Sequence, residues 1–263
     1  MTPTSKVYRF ESVHSTNLKM KELIHKGGAQ SGTVVVAEHQ TEGRGRLGRS
    51  WASPVGGLYV SLLWVPKNPK RMTDFSILAG LAVSQTVKAL LPKSKDVSVK
   101  WPNDCLVDWK KIAGVLCETV GDPPSAVIIG MGINVNTKAS DLEPFLKNPF
   151  SATSMLLETE GDQPIDVVLE TLLTKIFQLF AVYEKEGFAA IRYLWEKNCL
   201  MVGKKIELRD PGYQPADGDR GKTTGFFLGI DDSGALLLAK QKKDDEKMVT
   251  TSYISGEIAC FWP

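Results

Sequence analysis

The feature that most constrains the fold of this chain is a stretch at residues 42–51, which reads EGRGRLGRSW. Glycines alternate there with Arg44, Arg46 and Arg49, and glycine inside a helix is unfavourable. A strand is also disfavoured, because the few side chains in the stretch are long and charged. The stretch therefore predicts a flexible loop, around which the rest of the chain is expected to be organised.

The composition of this loop also indicates a kind of ligand. Glycines let backbone N–H groups approach a ligand closely, and guanidinium groups match the oxygens of carboxylates and phosphates. Trp51 adds an aromatic face directly after the last arginine. The combination favours a phosphorylated ligand with a ring, such as a nucleotide. On this stretch alone, a solvated basic loop or an RGG-like nucleic-acid-binding segment is an equal alternative.

The net charge, the cysteine content and the hydrophobicity of the whole chain narrow the possible functions and locations. The chain has 263 residues and a formal net charge of +2 at pH 7, so nothing global argues for a nucleic-acid or membrane partner. Its four cysteines are far apart and form no CxxC pair, so neither a metal site nor a disulfide framework is predicted. The N-terminus lacks the apolar run of a signal peptide, and no apolar stretch approaches the length of a membrane span. A cytoplasmic location is expected.

Hydrophobic periodicity predicts a larger α/β region followed by a small all-β region. The larger region has predicted helices over residues 17–25, 74–91, 165–180 and 188–197. Its predicted strands cover residues 7–13, 33–37, 58–65, 97–101, 105–108, 111–120 and 126–135. After Met201, short strands over residues 204–209, 223–230, 235–240 and 253–261 favour a small barrel. We therefore predict two domains, residues 1–201 and residues 202–263.

A second chemical motif is KWPND at residues 100–104, followed by Lys111. Pro102 favours a turn, so Asn103 and Asp104 lie where a strand ends. Lys111 begins the next strand, across the presumed hairpin. A lysine, an amide and a carboxylate that converge suit a ligand with negative charge, and Mg²⁺. A surface turn with solvated charges is the other explanation, at about equal weight.

The third motif, GMGINVN, covers residues 130–136. Glycines within a strand often mark close backbone approach to a ligand, and Asn134 has an amide that can bond a nucleotide or a metal-bound water. Taken alone, a glycine-containing segment of this kind is more often a bulge at a strand end.

Two further stretches contribute candidate residues. The residues at 15–17, Ser-Thr-Asn, first predict a helix N-cap. Gln40 ends a buried strand just before the loop, and that position favours function.

Together these stretches resemble the biotin protein ligases, also called holocarboxylase synthetases. The motifs occur in the family's order: STN at residues 15–17, EHQTEGRGRLGRSW at 38–51, GGLYVSLLW at 56–64, KWPND at 100–104, KIAGVLCE at 111–118, GMGINVN at 130–136 and SGEI at 255–258. The resemblance implies an α/β (α+β) catalytic domain with a mixed central sheet and a small SH3-like C-terminal β-barrel. That architecture agrees with the boundary drawn near residue 202.

The resemblance also implies an activity. Members of the family join biotin to ATP as biotinyl-5′-AMP and then transfer biotin to a lysine of a biotin carboxyl carrier domain, without a covalent enzyme intermediate. By matching positions, the biotin-binding residues would be Ser15, Thr16, Asn17, Gln40, Gly43, Arg44, Lys111 and Gly114. The nucleotide-binding residues would be Arg46, Arg49, Trp51, Asn103, Asp104 and Asn134. Lys111, Arg44 and Arg46 would take part in catalysis, Lys111 by bridging the reacting carboxylate and α-phosphate. Asp104 would orient Lys111 or the incoming amine.

The implied substrates are biotin and ATP with Mg²⁺, and the implied partner is the carrier domain of a biotin-dependent carboxylase. The catalytic motifs begin near Val7, so a DNA-binding winged helix-turn-helix of the kind found in some members is not expected. No membrane partner is expected, and a homodimer is compatible with the resemblance. A lipoate ligase or octanoyltransferase shares the fold class but is not expected to carry both GRGRxGR and KWPND. An RNA-binding protein is disfavoured by the near-neutral charge and the shortness of the Gly/Arg run.

Overall fold

A seven-stranded mixed sheet lies at the centre of the larger part of the chain, in a computed structural model that describes residues 6–67, 72–121, 125–143, 150–214, 217–241 and 247–262. Its strands are β1 (Val7–Val13), β2 (Val34–Gln40), β3 (Leu58–Trp64), β4 (Val97–Lys100), β5 (Asp104–Val107), β6 (Lys110–Val120) and β7 (Ala126–Ile133). They lie in the order β1-β2-β3-β7-β6-β5-β4. Only β1 and β2 pair in parallel, and the other pairs are antiparallel, which confirms the predicted mixed sheet.

Helices cover the two faces of this sheet unequally. They are α1 (Thr16–His25), α2 (Met72–Leu90), α3 (Ala139–Leu142), α4 (Met155–Thr159), α5 (Ile165–Glu186) and α6 (Phe188–Lys197). Side chains alternate along β2, so Val34 and Val36 join the large core with α2, α5 and α6. Val35 points the other way and packs with Met20 of α1. The two very short helices, α3 and α4, were not predicted from the sequence.

The α1 face of the sheet is only partly covered, and this leaves room for a pocket. Beyond α1, that face carries small residues on three adjacent strands: Ser61 of β3 pairs with Gly130 of β7, and Gly132 of β7 pairs with Gly114 of β6. Because these residues have little or no side chain, other groups can approach the backbone there.

The C-terminal part forms a five-stranded antiparallel sheet, where a small β-barrel was predicted. Its strands are β8 (Lys205–Arg209), β9 (Lys222–Ile230), β10 (Leu236–Gln241), β11 (Met248–Tyr253) and β12 (Glu257–Trp262), in the order β11-β10-β9-β8-β12. The prediction of one strand over residues 253–261 was wrong. The chain turns between β11 and β12, where Gly256 has a φ of 146°. β11 was missed because most of its residues are exposed, so it shows no apolar alternation.

The two sheets share a hydrophobic core. Trp195 of α6 meets Phe227 of β9 edge-on at 6.5 Å between ring centroids, and Trp101 donates from Nε1 to the Gly234 carbonyl at 3.0 Å. The predicted boundary near residue 202 falls between α6 and β8. The hydrophobic core is continuous across this boundary, and the division into two domains stays a prediction. Within the described ranges, no helix has the length and apolar character needed to cross a membrane.

Candidate active site

One end of the pocket is a buried network of neutral polar groups centred on Gln40. Its side-chain oxygen accepts from the Thr16 backbone N–H at 2.9 Å and lies 3.2 Å from the Thr16 hydroxyl. Its side-chain nitrogen donates to Ser53 Oγ at 2.8 Å. Ser61 Oγ lies 2.8 Å from Thr16 Oγ1 and 2.6 Å from Asn17 Oδ1. Strands β2 and β3 and the start of α1 are thereby joined below the surface.

The network changes the interpretation of the Ser-Thr-Asn motif. Ser15 occupies the N-cap of α1, but its side chain makes no capping hydrogen bond. Gln40 instead accepts from the Thr16 N–H in the first turn of the helix. The buried Ser15 hydroxyl lines the pocket and is available to a ligand. The motif therefore contributes more to the pocket than the N-cap role predicted first.

Asn17 links this end to a charged group. Its side-chain nitrogen donates to Glu118 Oε2 at 2.7 Å and to the Leu116 carbonyl at 3.3 Å. Glu118 also pairs with Lys21 at 2.6 Å and with Arg44 at 3.4 Å. Burial by itself raises the pKa of Glu118, but hydrogen bonds from Lys21 and Asn17 together with nearby positive charge lower it overall. The carboxylate therefore stays ionised and holds the start of the Gly/Arg loop.

At the other end, Asp104 lies between two lysines. Lys111 Nζ is 2.6 Å from Asp104 Oδ1, and Lys100 Nζ is 3.3 Å from Oδ2. Burial opposes ionisation of Asp104, yet Lys111 and Lys100 outweigh it and hold its pKa well below the usual range. Burial lowers the pKa of Lys100, and Asp104 opposes that shift. Two cations against one carboxylate leave net positive charge, which favours an anionic ligand.

Trp51 lies over the middle of the pocket floor. A Cβ at Gly132 would come within 2.6 Å of its Nε1, and one at Gly114 within 3.1 Å of its Cζ3. Lys111 Nζ is 5.3 Å from the centre of the Trp51 ring. Glycine at these two positions therefore admits the indole, while the Gly130 backbone is approached by Asn17. Close approach to these glycines was predicted, but in this structure the approaching groups are side chains of the protein itself. Nucleotide binding by Trp51 stays a prediction.

The Gly/Arg loop forms a small hairpin in this structure. Gly45 N–H donates to the Arg49 carbonyl at 2.7 Å, and Arg44 and Ser50 form an isolated β-bridge. At the tip, a 3-10 turn over Arg46–Gly48 places Leu47 at a φ of 57°, in the left-handed region. The loop thus has more local structure than the sequence predicted.

Each arginine of the loop contacts a different element. Arg44 reaches Glu118 on β6, and Arg49 pairs with Glu257 of β12 at 2.9 Å. Arg46 Nη1 donates to Asn103 Oδ1 at 3.4 Å, and Asn103 in turn donates to the Val115 carbonyl at 2.8 Å. Asn103 therefore supports Arg46 in this structure, and its predicted contact with phosphate stays a prediction.

Asn134 lines the pocket next to the end of β7. Its side-chain nitrogen donates to the Thr153 carbonyl at 2.9 Å. Since that bond fixes the amide, its oxygen is the part that remains to meet a ligand.

The structure brings together nearly all of the predicted site residues. All of them except Gly43 line one pocket, namely Ser15, Thr16, Asn17, Gln40, Arg44, Arg46, Arg49, Trp51, Asn103, Asp104, Lys111, Gly114 and Asn134. Gly43 lies at the start of the loop and does not line the pocket. Its carbonyl accepts from Trp51 N–H at 2.8 Å, and a Cβ there would clash with Ser53 and the Trp51 backbone.

Several lining residues were not predicted as part of the site. Lys100 is the first residue of KWPND and the one charged residue in the buried strand VSVK, which was an available signal. Phe150 and Glu257 also line the pocket. Glu257 lies in the SGEI motif at residues 255–258, which was quoted for the resemblance but given no site role, and nothing local identifies Phe150. Ser61, beneath the pocket, was signalled only as a lone polar residue in an apolar strand.

Comparisons with known proteins agree with this geometry. The sequence model of the Biotin/lipoate A/B protein ligase family matches residues 9–134. The bifunctional ligase/repressor BirA of Bacillus spizizenii is 36% identical over 239 residues, which cover 89% of this chain and 69% of that protein. The biotin–[acetyl-CoA-carboxylase] ligase of Paracoccus denitrificans is 30% identical over 233 residues, which cover 85% of this chain and 90% of that protein.

A solved structure, the biotin protein ligase from Aquifex aeolicus in complex with biotin and ATP, superposes with a TM-score of 0.77 at 30% identity. The match covers 96% of this chain and 97% of the Aquifex chain. Fold and pocket together define a ligase of the biotin and lipoate type. The chain belongs to the Biotin/lipoate A/B protein ligase family, so the resemblance found in the motifs is confirmed.

Proposed function

We propose that this chain is a biotin protein ligase, which forms biotinyl-5′-AMP from biotin and ATP and transfers the biotinyl group to a lysine of a biotin carboxyl carrier domain. The observation that carries the proposal is the pocket itself. A neutral hydrogen-bonding end around Gln40 and a cationic end around Asp104 open into one cavity, and Lys111 lies beside Asp104 with its Nζ 5.3 Å from the centre of the Trp51 ring.

The neutral end matches the ureido ring of biotin, which has one carbonyl acceptor and two N–H donors. Ser15, Thr16, Asn17 and Gln40 provide hydroxyl and amide groups that both donate and accept. A lipoyl or octanoyl chain has no such groups, so it could not use the Ser15 hydroxyl or the hydrogen-bonding capacity that remains in this network. The network therefore favours biotin over the substrates of the related lipoate and octanoyl enzymes.

The cationic end suits the first chemical step. An oxygen of the biotin carboxylate attacks the α-phosphorus of ATP, a P–O bond forms, and pyrophosphate leaves with the electrons of the bond that breaks. Lys111, oriented by Asp104, offsets the negative charge that grows as the two anions meet, and Arg44 and Arg46 cover the phosphate side. Burial lowers the pKa of Arg46, and Asp104 opposes that shift, so the guanidinium stays charged at neutral pH.

In the second step, the ε-amine of the acceptor lysine attacks the acyl carbon of the mixed anhydride. An amide bond forms, AMP leaves, and the amine loses a proton. Both steps need mainly positioning and charge stabilisation, so no nucleophile on the protein is required.

Mg²⁺ is proposed to enter with ATP. Among the described residues, no three His, Cys, Asp or Glu side chains are grouped so as to hold a metal ion. Nucleotide-bound Mg²⁺ usually takes one or two protein oxygens and completes its shell with phosphates and waters. The amide oxygen of Asn134 is a suitable donor in this pocket, whereas both oxygens of Asp104 are paired with lysines. The bound ion would neutralise charge on the phosphates.

Three further expectations belong to the same proposal. The protein is expected to act in the cytoplasm and not to bind operator DNA, which a gel-shift assay at physiological salt tests. The division at residue 202 is expected to separate the catalytic region from the C-terminal sheet. Strand β1 lies at an edge of the seven-stranded sheet, and a homodimer formed through such an edge is testable by size exclusion with and without biotin and ATP.

A pyrophosphate-release assay tests the proposed function. Release is expected with biotin, ATP and Mg²⁺, and not when lipoate or octanoate replaces biotin. Chelation of Mg²⁺ should abolish it. Release that depends on lipoate or octanoate would assign the chain to another branch of the family, and no ligand-dependent release would refute the proposal.

A further inference from the structure

A buried carboxylate outside the pocket has no role in the mechanism above. Glu158 lies on α4, and only 2% of its side chain is exposed. Its Oε2 lies 2.6 Å from Lys95 Nζ, and its Oε1 accepts from Lys110 Nζ at 2.8 Å and from Thr153 Oγ1 at 2.6 Å. Lys95 also binds Asp108 in the turn between β5 and β6, at 3.1 Å.

The charge on this carboxylate is well supported. Burial alone raises the pKa of Glu158, but hydrogen bonds from Lys110, Lys95 and Thr153 lower it to about 2. A buried charge is tolerated when partners satisfy it, and removing the charge from one side leaves the partners uncompensated. Glu158 is thus the charged group that joins Thr153 to Lys110, whereas Lys95 also has Asp108 as a partner.

Two of these partners adjoin Lys111. Lys110 is its neighbour at the start of β6. Thr153 N–H donates to the Lys111 carbonyl at 2.9 Å, and Lys111 N–H donates to the Ser151 carbonyl at 2.7 Å. The backbone of Lys111 is thus held from both sides by residues 151–153.

The same short segment holds a second site residue. Asn134 donates from its side chain to the Thr153 carbonyl, and the Asn134 carbonyl accepts from Met155 N–H at 3.0 Å. Residues 151–155 therefore connect the two site residues Lys111 and Asn134. Glu158 ties this segment to β6 through Thr153 and Lys110.

We propose that Glu158 is a positioning residue for Lys111: by joining Thr153 to Lys110 it fixes the segment that sets where Lys111 enters the pocket. Glu158 does not line the pocket, so it acts through Lys111 and touches no substrate. The expected loss of adenylate formation rests on the proposed function. The expected displacement of Lys111 rests on the hydrogen-bond geometry alone.

The kinetic test compares Glu158→Gln with a matched control, Glu160→Gln. Glu160 is exposed and lies two residues further along the chain, just after α4. Glu158→Gln is expected to lower kcat of adenylate formation by about tenfold or more, because small displacements of a catalytic group are costly. KM for biotin should change less than kcat, since the Gln40 network is not bonded to Glu158 or to its partners. Glu160→Gln should match the unmodified protein.

A double-mutant cycle separates positioning from general stabilisation. If Glu158 acts through Lys111, Glu158→Gln should change the residual rate of Lys111→Ala by less than about twofold. An equal loss in both backgrounds would show that Glu158 acts independently of Lys111 and would overturn the proposal.

Amide hydrogen exchange gives a readout that needs no activity. Glu158→Gln should speed exchange in peptides that cover residues 108–114 and 150–156, and leave residues 15–17 unchanged. Unchanged exchange in the first two regions would overturn the proposal even in an active enzyme. Absence of biotin-dependent pyrophosphate release by the unmodified protein would instead refute the proposed function, and exchange would still report on positioning.

Discussion

The neutral end of the pocket and the Gly/Arg loop differ in how firmly they are held. Thr16, Gln40 and Ser61 are buried and bonded to one another across two strands and a helix. In the loop, the side chains of Arg44 and Arg49 are 46% and 52% exposed, and each rests on one carboxylate. The first region is anchored in the sheet, and the second lies over the pocket on contacts that face solvent.

The energetic difference follows from burial. Leaving a buried donor or acceptor unpaired costs about 1–3 kcal/mol, whereas an exposed ion pair contributes about 0–1 kcal/mol. Leu47 also adopts a left-handed conformation that costs a non-glycine residue about 1–2 kcal/mol. We therefore expect the neutral end to be preformed and to select the ligand, and the loop to close over the ligand and retain it.

The largest expected effect lies at the cationic end of the pocket, beside both regions' shared cavity. Lys111→Ala should reduce adenylate formation by on the order of 10²–10³, because it removes the cation between the reacting carboxylate and phosphate. Asp104 keeps Lys100 as a partner, so the variant should still fold, as circular dichroism can verify. Lys26→Ala, at an exposed position after α1, is the control. Near-normal pyrophosphate release by folded Lys111→Ala would remove Lys111 from the mechanism.

The second-largest expected effect is on retention of the adenylate by the Gly/Arg loop. Arg46→Gly removes one charge-assisted contact of about 1.5–3 kcal/mol, so the off-rate of biotinyl-AMP should rise about 10–100-fold. The adenylate should still form, because Lys111 and Arg44 remain, and should then label lysines of a bystander protein such as an albumin on a biotin blot.

Leu47→Gly is a matched control for Arg46→Gly, since it adds a glycine to the same turn but keeps the charge. It should not release the adenylate. An unlabelled bystander with Arg46→Gly, in the presence of normal pyrophosphate release, would show that Arg46 has no retention role. Equal labelling with both variants would assign retention to loop stiffness instead.

The smallest effect is on stability, and it compares the two regions directly. Gln40→Ala leaves the Thr16 N–H and its other partners unpaired, so the free energy of unfolding should fall by about 1–3 kcal/mol. Arg49→Ala breaks only the exposed pair with Glu257 and should cost less than about 1 kcal/mol. Urea unfolding of both variants measures this. Equal losses would contradict the difference in anchoring.

Much of the fold was readable from the sequence, because long periodic segments bury one face. The strand at Val7–Val13 and the helix at Phe188–Lys197 were predicted with the bounds observed. Helix α5 was predicted over residues 165–180 but continues to Glu186, since its last turn has no breaker before Gly187. The short helix α4 carries Glu158, and five residues are too few to show a helical period.

The site was readable only where its chemistry is local. The motifs around Arg44, Asp104 and Lys111 each left a charged ligand and solvated surface charges as equal explanations, and only their occurrence together, in the family's order, favoured the ligand. The pair between Arg49 and Glu257 joins residues 208 positions apart, and nothing in either neighbourhood predicts the other. That the strand glycines Gly130 and Gly132 receive Asn17 and Trp51 was likewise unpredictable, because it depends on the register of the sheet.

Limited trypsin digestion tests most directly whether the neutral end is preformed while the loop closes on the ligand. In the free protein, cleavage after Arg44, Arg46 and Arg49 should be rapid, because the loop opens locally at little cost. Saturating biotin and ATP should slow cleavage at these three bonds by about tenfold, because binding favours the closed loop. Cleavage after the exposed Lys26, beyond the neutral end, should not change. Equal cleavage of the loop with and without ligand would contradict the account.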